Sequence, residues 1–370
     1  MSILIQNGNI ITKNTVLKNS AVLINGDKIV SAGKVSAGKH SLEIDAKGCY
    51  VSPGFIDLHI HGEPKRILSS ESKYGTTSLV IALSCGRLDN IYKDVANIKS
   101  LLAEGYVGPN ILGLHLEGPY INKKMAGAQN KKYIRKPDAR ELRKIISKCG
   151  SLLKIMTIAP ELKGADRIIK VLNRNSIIAS LGHSDATYKE ALKGIDLGIR
   201  HATHIFNCMR PIDRREPGAA AACLLDKRNT VEAIPDLIHV QGALIKLLIK
   251  LKDINKIVLI TDSVRSLQAV GVKKEGNVYR FKDGRIAGSS LTMIDALKNV
   301  VKYLKLSLLD AIKFVTINPA VVLGIQGKKG SIDIGKDADI VIFDKHFDVK
   351  LTMVRGKIVY RKKGFSICAA

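Results

Sequence analysis

Lys256-Ile257-Val258-Leu259-Ile260-Thr261-Asp262-Ser263 is an apolar run that ends on a single carboxylate. Four aliphatic residues in a row read as a strand buried on both faces. Such a strand delivers Asp262 to a point. Other runs do the same with a His or a Glu: Asp57-Leu58-His59-Ile60-His61, His115-Leu116-Glu117-Gly118-Pro119, Leu181-Gly182-His183-Ser184 and His201-Ala202-Thr203-His204. These groups lie far apart in sequence, so the fold has to gather strand ends.

Around that run the middle of the chain alternates strand and helix. Strands are expected near 54–60, 76–83, 110–116, 153–159, 176–181, 200–205, 230–234 and 256–261. Between them, Ile91 to Leu102 carries apolar residues at helical spacing, and Pro137 fits a first helical turn ahead of Leu142, Ile145 and Ile146. Asp166 to Leu172, Asp185 to Leu192 and Gly242 to Leu251 read as helices, and two more, near 290–304 and 307–315, follow the last strand. This is the arithmetic of an α/β chain folded as a (β/α)8 TIM-like barrel, with its site at the C-terminal strand ends. A doubly wound sheet would concentrate ligand groups at one switch point. Here His59, His61, Glu117, His183, His204, His239 and Asp262 end nearly every strand, which suits a ring.

The two ends of the chain differ from the middle. Asn25-Gly26 between Ala21-Val22-Leu23-Ile24 and Lys28-Ile29-Val30 signals a hairpin. Ala338 to Phe343 reads as a strand and Val354 to Tyr360 as a further hairpin. Residues 1–50 and 330–370 are therefore expected to form one small β-sandwich domain around a barrel of residues 51–329. Gly330-Ser331-Ile332-Asp333-Ile334-Gly335-Lys336-Asp337 nearly spells a phosphate loop, but lacks the hydroxyl after Lys336 and precedes a strand rather than a helix.

The 370 residues carry a net charge of +26 and no Trp. Lysine is spread over the whole chain, and the interleaved aromatics of a single-strand stacking platform are missing. A Lys-rich solvated surface with a bias toward anionic substrates is expected, not a nucleic-acid partner. The six cysteines form no CxxC pair and read as reduced thiols. The N-terminus does not resemble a signal peptide, and no uncharged apolar run reaches membrane-spanning length. A soluble cytoplasmic protein is expected, without a membrane partner.

In His59-x-His61 the imidazoles project to one side of an extended strand and can share a metal. Alone this is a weak signal. Joined by Glu117, His183, His204 and Asp262 at one rim it is a strong one. The mixed N and O donors suit Zn²⁺, with Fe²⁺ or Mn²⁺ as alternatives. Such an ion lowers the pKa of water to about 7, and Asp262 beside it can move the proton. That chemistry hydrolyses an amide or a similar bond. In Arg214-Arg215-Glu216-Pro217-Gly218 an Arg, with His239, could bind a phosphate or carboxylate.

These motifs resemble the amidohydrolase superfamily and, more narrowly, its N-acetylglucosamine-6-phosphate deacetylase family. The resemblance rests on Pro53 to Gly62, His115 to Pro119, Gly182 to Ala186, Thr203 to Met209, Arg215 to Gly218, Thr261 to Ser263 and Gly288 to Met293, and spans nearly the whole chain. It implies a main metal held by Glu117, His183 and His204, and a second held by His59 and His61 in some members. It further implies Asp262 as general base and acid, with Asn207 and the backbone at Cys208 on the sugar phosphate. Arg215 and His239 would bind the phosphate, Arg215 reaching across a homodimer interface, and Leu291 would line the acetyl pocket. The substrate implied is a phosphorylated N-acetyl amino sugar. Two departures stand out. Gln129 occupies the place of a His that polarises the substrate carbonyl, and the stretch Gly62 to Tyr74 is shorter than the loop and helix relatives carry there. Alternatives are an amidohydrolase acting on another acylated anionic amide, such as N-acetylgalactosamine-6-phosphate, and a non-catalytic basic binding protein.

Overall fold

The computed structural model describes residues 2–35, 40–267 and 271–369. Of the predicted end domain, Met1, residues 36–39 and Ala370 lie outside the described residues.

Strands β1 (Phe55–Gly62), β2 (Thr76–Ser84), β3 (Asn110–Glu117), β4 (Leu153–Ile158), β5 (Ile178–Leu181), β6 (His201–Ala202), β7 (Thr230–Ala233) and β8 (Ile257–Leu259) pair in sequence order, each parallel to the next. Beyond β8 the chain passes through Asp262 into β9 (Ser263–Ser266), which pairs with β1 at Ser263 and Ile60. The Asp262 amide donates to His59 O at 2.9 Å. One continuous segment thus borders the last parallel strand on one side and the first on the other. Strands β10 (Val272–Glu275), β11 (Val278–Phe281) and β12 (Ile286–Ser289) add a flap to a curled sheet of 12 strands among the described residues.

Each parallel crossover contains a helix. In order these are α1 (Pro64–Glu71), α2 (Leu88–Glu104), α3 (Ala139–Cys149), α4 (Ala165–Arg174), α5 (Tyr188–Asp196), α6 (Gly218–Leu225) and α7 (Gly242–Leu251), and α8 (Met293–Lys298) follows the flap. Their apolar stripes face the sheet: α2 buries Ile91, Val95, Ile98 and Leu101, and α4 buries Ile168, Ile169 and Leu172. Pro137 falls just outside α3, because Asp138 is the cap and accepts from Arg140 N at 2.7 Å. The expected strands match those observed to within a few residues. The flap and α1 have no counterpart in the expectation. The helix expected over 290–304 is α8 followed by a π-helical turn, Asn299–Tyr303.

Both chain ends enter a second sheet, of nine strands among the described residues, with its own aliphatic core, including Ile5, Ile24, Val51, Ile342 and Leu351. Tyr50–Pro53 pairs with Ile340–Phe343, joining the two ends. The Asn25-Gly26 hairpin forms as read, with Asn25 opposite Lys28 and Gly26 at φ 61°.

Lys252, buried behind α6, donates through Nζ to Cys223 O at 2.7 Å and to Asp226 O at 2.6 Å. It satisfies carbonyls that the helix end leaves open. Lys252→Met keeps the length and removes the donors, so unfolding in urea should show a loss of about 1–3 kcal/mol; an unchanged midpoint would mean that water replaces the ammonium.

Candidate functional site

Glu117 ends β3, and the other strand ends converge on it. Its Oε1 lies 2.8 Å from Nε2 of His183 and 2.8 Å from Nε2 of His204. From β1, His59 Nε2 comes within 3.8 Å of that oxygen and His61 Nε2 within 3.5 Å of Oε2. The two Nε2 atoms of His59 and His61 face each other at 3.2 Å. Asp262 Oδ1 closes the group, 3.2 Å from His61 Nε2 and 3.6 Å from His59 Nε2.

Local backbone explains the aim of these groups. His183, His204 and Asp262 have φ of 49°, 29° and 45°. This left-handed turn costs energy in a non-glycine residue, and it swings each side chain out of its strand at the rim. Gly118, at φ 120°, leaves room behind Glu117, where a Cβ would collide with Cys85 Sγ. Asp57 accepts from Thr261 Oγ1 at 2.6 Å and so ties β1 to the segment that carries Asp262. Burial pushes the Asp57 carboxyl up to about 7, although these hydrogen bonds favour its charged form.

The cluster has the donor chemistry of a divalent-metal site. Glu117, His183 and His204 bring ligand atoms within 4.8 Å of one another, as do His59, His61 and Glu117. Outer contacts leave the Nε2 atoms pointing inward: His183 Nδ1 donates to Met125 O at 2.8 Å, and His59 Nδ1 lies 3.2 Å from Glu232 Oε2. Burial opposes charge on Glu117, but the His183 charge and hydrogen bonds from His183, His204 and His59 outweigh it and hold the carboxyl well below its usual range. Burial likewise opposes the Asp262 charge, and the His59 and His61 rings win, keeping Asp262 ionised.

A cavity of about 410 Å³ opens over this cluster. His61, Glu117, Gln129, His183, His204 and Asp262 line its floor, while Asn207, Cys208 and His239 form a second wall. His239 Nδ1 lies 2.6 Å from Asp236 Oδ2. Burial lowers the His239 pKa, and the hydrogen bond and charge of Asp236 more than reverse that, leaving it above its ordinary value. Both ends of Gln129 are engaged: Oε1 accepts from Cys85 N at 2.7 Å and Nε2 donates to Glu117 Oε2. Three of the expected residues do not line the cavity: His59 lies buried beneath it within the cluster, and two others stand apart. Arg215 is exposed on its loop, its amide on Asp213 Oδ1 at 2.8 Å, and Leu291 is buried beside Ser289 outside the lining.

Residues 50–359 match the model of the amidohydrolase family. The chain belongs to that family, in its N-acetylglucosamine-6-phosphate deacetylase branch. It is 35% identical to N-acetylglucosamine-6-phosphate deacetylase of Bacillus subtilis (strain 168), over 98% of each chain. It is 30% identical to N-acetylgalactosamine-6-phosphate deacetylase of Escherichia coli O157:H7, over 83% of this chain and 86% of the other. The crystal structure of N-acetylglucosamine-6-phosphate deacetylase from Pasteurella multocida superposes with a TM-score of 0.89 at 28% identity, over 98% of this chain and 100% of that one.

In this amidohydrolase several site groups escaped the reading of the sequence. Glu232 on β7 is fully buried and faces both His59 Nδ1 and His201 Nε2, the latter at 3.0 Å. A carboxylate inside Val231-Glu232-Ala233-Ile234 was the available signal. Asp236, three residues before His239, was visible in the same way. Arg285 was not: it reaches the cavity only because the flap folds over, where Nη1 donates to Gly127 O at 2.6 Å.

Glu232→Gln preserves volume and removes the charge that orients His59. Affinity for a divalent cation, with Zn²⁺ as the probe in competition with a chelator, should drop about 10- to 100-fold. An unaltered affinity would detach Glu232 from the cluster's function.

Proposed function

We propose that this amidohydrolase removes the acetyl group of N-acetylglucosamine-6-phosphate, giving glucosamine-6-phosphate and acetate. The observation that carries the reading is Glu117 Oε1 shared at 2.8 Å by His183 and His204, with Asp262 ionised beside them. Family membership and the named activities of the relatives support the substrate class.

Glu117, His183 and His204 would hold the main metal, and His59 with His61 a second, one or two ions per subunit. Zn²⁺ suits these N and O donors best, with Fe²⁺ and Mn²⁺ as the alternatives. A divalent cation supplies Lewis acidity here, lowering the pKa of water and polarising an amide carbonyl. Asp262 takes the attacking water's proton at Oδ1 and hands it to the departing nitrogen. His239, whose pKa Asp236 raises, binds the phosphate with Asn207 and the backbone at Cys208. Gln129 steadies Glu117 and offers the substrate a neutral donor.

The larger organisation belongs to the same reading. Residues 51–329 form a closed (β/α)8 barrel, supported by the Ser263–Ile60 pairing, and residues 1–50 and 330–370 form a β-sandwich. Arg215, exposed and away from its own cavity, serves the phosphate of the partner site in a homodimer. Six free cysteines support a reducing, cytoplasmic setting. Among the described residues no helix is long and apolar enough to cross a membrane.

Acetate release from N-acetylglucosamine-6-phosphate by the Zn²⁺-loaded protein tests the reaction. Asp262→Asn should cut kcat by about 10²–10⁴-fold, and absence of acetate from the unaltered protein would sink the assignment. Comparison with the galactosamine epimer decides the sugar. Arg215 has its own test. Arg215→Ala should raise KM, and mixing it with inactive Asp262→Asn should restore turnover, since hybrid dimers contain one complete site. Activity that stays additive on mixing would place Arg215 within its own subunit or outside the mechanism.

A further inference from the structure

A groove of about 680 Å³ runs away from the site along α2, sharing His61, Ser84 and Leu267 with the catalytic cavity. The stretch after His61 forms one end of it, through Gly62, Glu63, Pro64 and Lys65. Helix α1 has only 8 residues against 17 in α2. At 1.5 Å per residue it covers roughly half the length of its neighbour. Among the described residues, part of the α2 face beyond α1 lines this groove. Its floor is aliphatic, with Ile91, Ile98 and Leu101, and its edge carries Asn90, Asp94 and Asn97 one helical turn apart. Glu63, Asp94 and Glu104 border it, against Lys65 as the one cation among the described lining residues.

We infer that this groove is a subsite for a neutral second sugar attached to the hexosamine 6-phosphate. The inference rests on the deacetylase reading above. In a hexosamine pyranose, C5, which bears the phosphorylated C6, lies opposite C2, which bears the acylamino group, and C1 adjoins C2. A phosphate held at His239 and Asn207, beyond β7 and β6, directs C2 and C1 toward β1 and β2, where the groove begins. Carboxamides and a carboxylate above an aliphatic floor match hydroxyls around the C–H face of a sugar. The acidic border disfavours an anionic extension. The substrate class is a disaccharide whose phosphorylated N-acetyl hexosamine is linked through C1 to a neutral sugar. The deacetylation itself is unchanged: water adds across the amide, acetate leaves, and the amine keeps the proton.

Steady-state kinetics of the Zn²⁺-loaded enzyme test this with three substrates. These are N-acetylglucosamine-6-phosphate, the β-1,4 disaccharide of N-acetylglucosamine phosphorylated on C6 of its non-reducing unit, and the N-butyryl monosaccharide 6-phosphate. The disaccharide should have a kcat/KM about tenfold or more above the monosaccharide. Asn97→Trp, which fills the groove from an exposed helix position, should erase that advantage and leave the monosaccharide unchanged. Asp94→Ala should reduce it through KM, giving a second variant that adds no bulk. Calorimetry of the disaccharide with metal-loaded Asp262→Asn, alone and combined with Asn97→Trp, reads binding apart from turnover. Acetate from the monosaccharide with no disaccharide advantage overturns the inference and leaves the deacetylase reading standing. Preference for the butyryl compound, lost in Asn97→Trp, overturns it in favour of an acyl-chain occupant. Acetate from none of the substrates removes the deacetylase reading and this inference with it.

Discussion

The buried charge of Glu117 is the constraint on which the site depends. A carboxylate taken out of water loses several kcal/mol of solvation, on the order of the stability of a whole domain. It persists only where donors surround it. Here Oε1 meets two imidazole Nε2 atoms and Oε2 meets the Gln129 amide, with His59 and His61 close behind. The same negative field would draw a divalent cation in among those nitrogens. A structural need, neutralising a buried anion, and a chemical capacity, binding a metal, thus have one cause.

A second layer keeps that arrangement from relaxing. Glu232 holds His59 from behind and leans on His201, whose Nδ1 reaches Thr230 Oγ1 at 2.5 Å. Asp57 and Thr261 lock β1 to the chain leading into Asp262, so the proposed base is set by a hydrogen bond between segments 204 residues apart in sequence. These partners have no access to a substrate. Their work is directional: each fixes which ring nitrogen or carboxylate oxygen looks inward. The strained φ values at His183, His204 and Asp262 are tolerated because this layer over-determines them.

Much of this was legible in the chain because strand ends announce themselves. Apolar runs that stop on His59, His61, Glu117, His183, His204 or Asp262 give the strand, its end and the donor in one reading. The three-dimensional question, whether those ends meet, is answered by parallel pairing in sequence order, which alternation of strand and helix already implied. What stayed hidden has a common physical origin. Arg285 enters the cavity on the flap, where it meets Gly127 from a distant part of the chain, which no local periodicity signals. Gln129 read as a substrate donor in isolation, yet its orientation is set by the Cys85 amide far away in sequence. Helix α1 was overlooked because eight residues, capped by Glu63, lack the length for a periodic apolar stripe.

The charge distribution joins these observations. The chain carries +26 overall, yet Asp57, Glu117, Glu232 and Asp236 are gathered, buried, at and behind the site. A positive exterior around a negative centre treats two ligands differently. An anionic sugar phosphate is attracted over distances of about 8 Å, the screening length at physiological salt, and on the proposed reading meets His239 and its Asp236 partner at the end of the approach. A metal cation would be repelled at that range and, on the proposed reading, held only within the centre, where imidazole and carboxylate donors would replace its water. Lysine need not be placed with care to produce the first effect, which is why no basic tract marks it in the sequence. The second effect demands placement to within a fraction of an ångström, and that is why every residue responsible for it sits at a strand end or directly behind one.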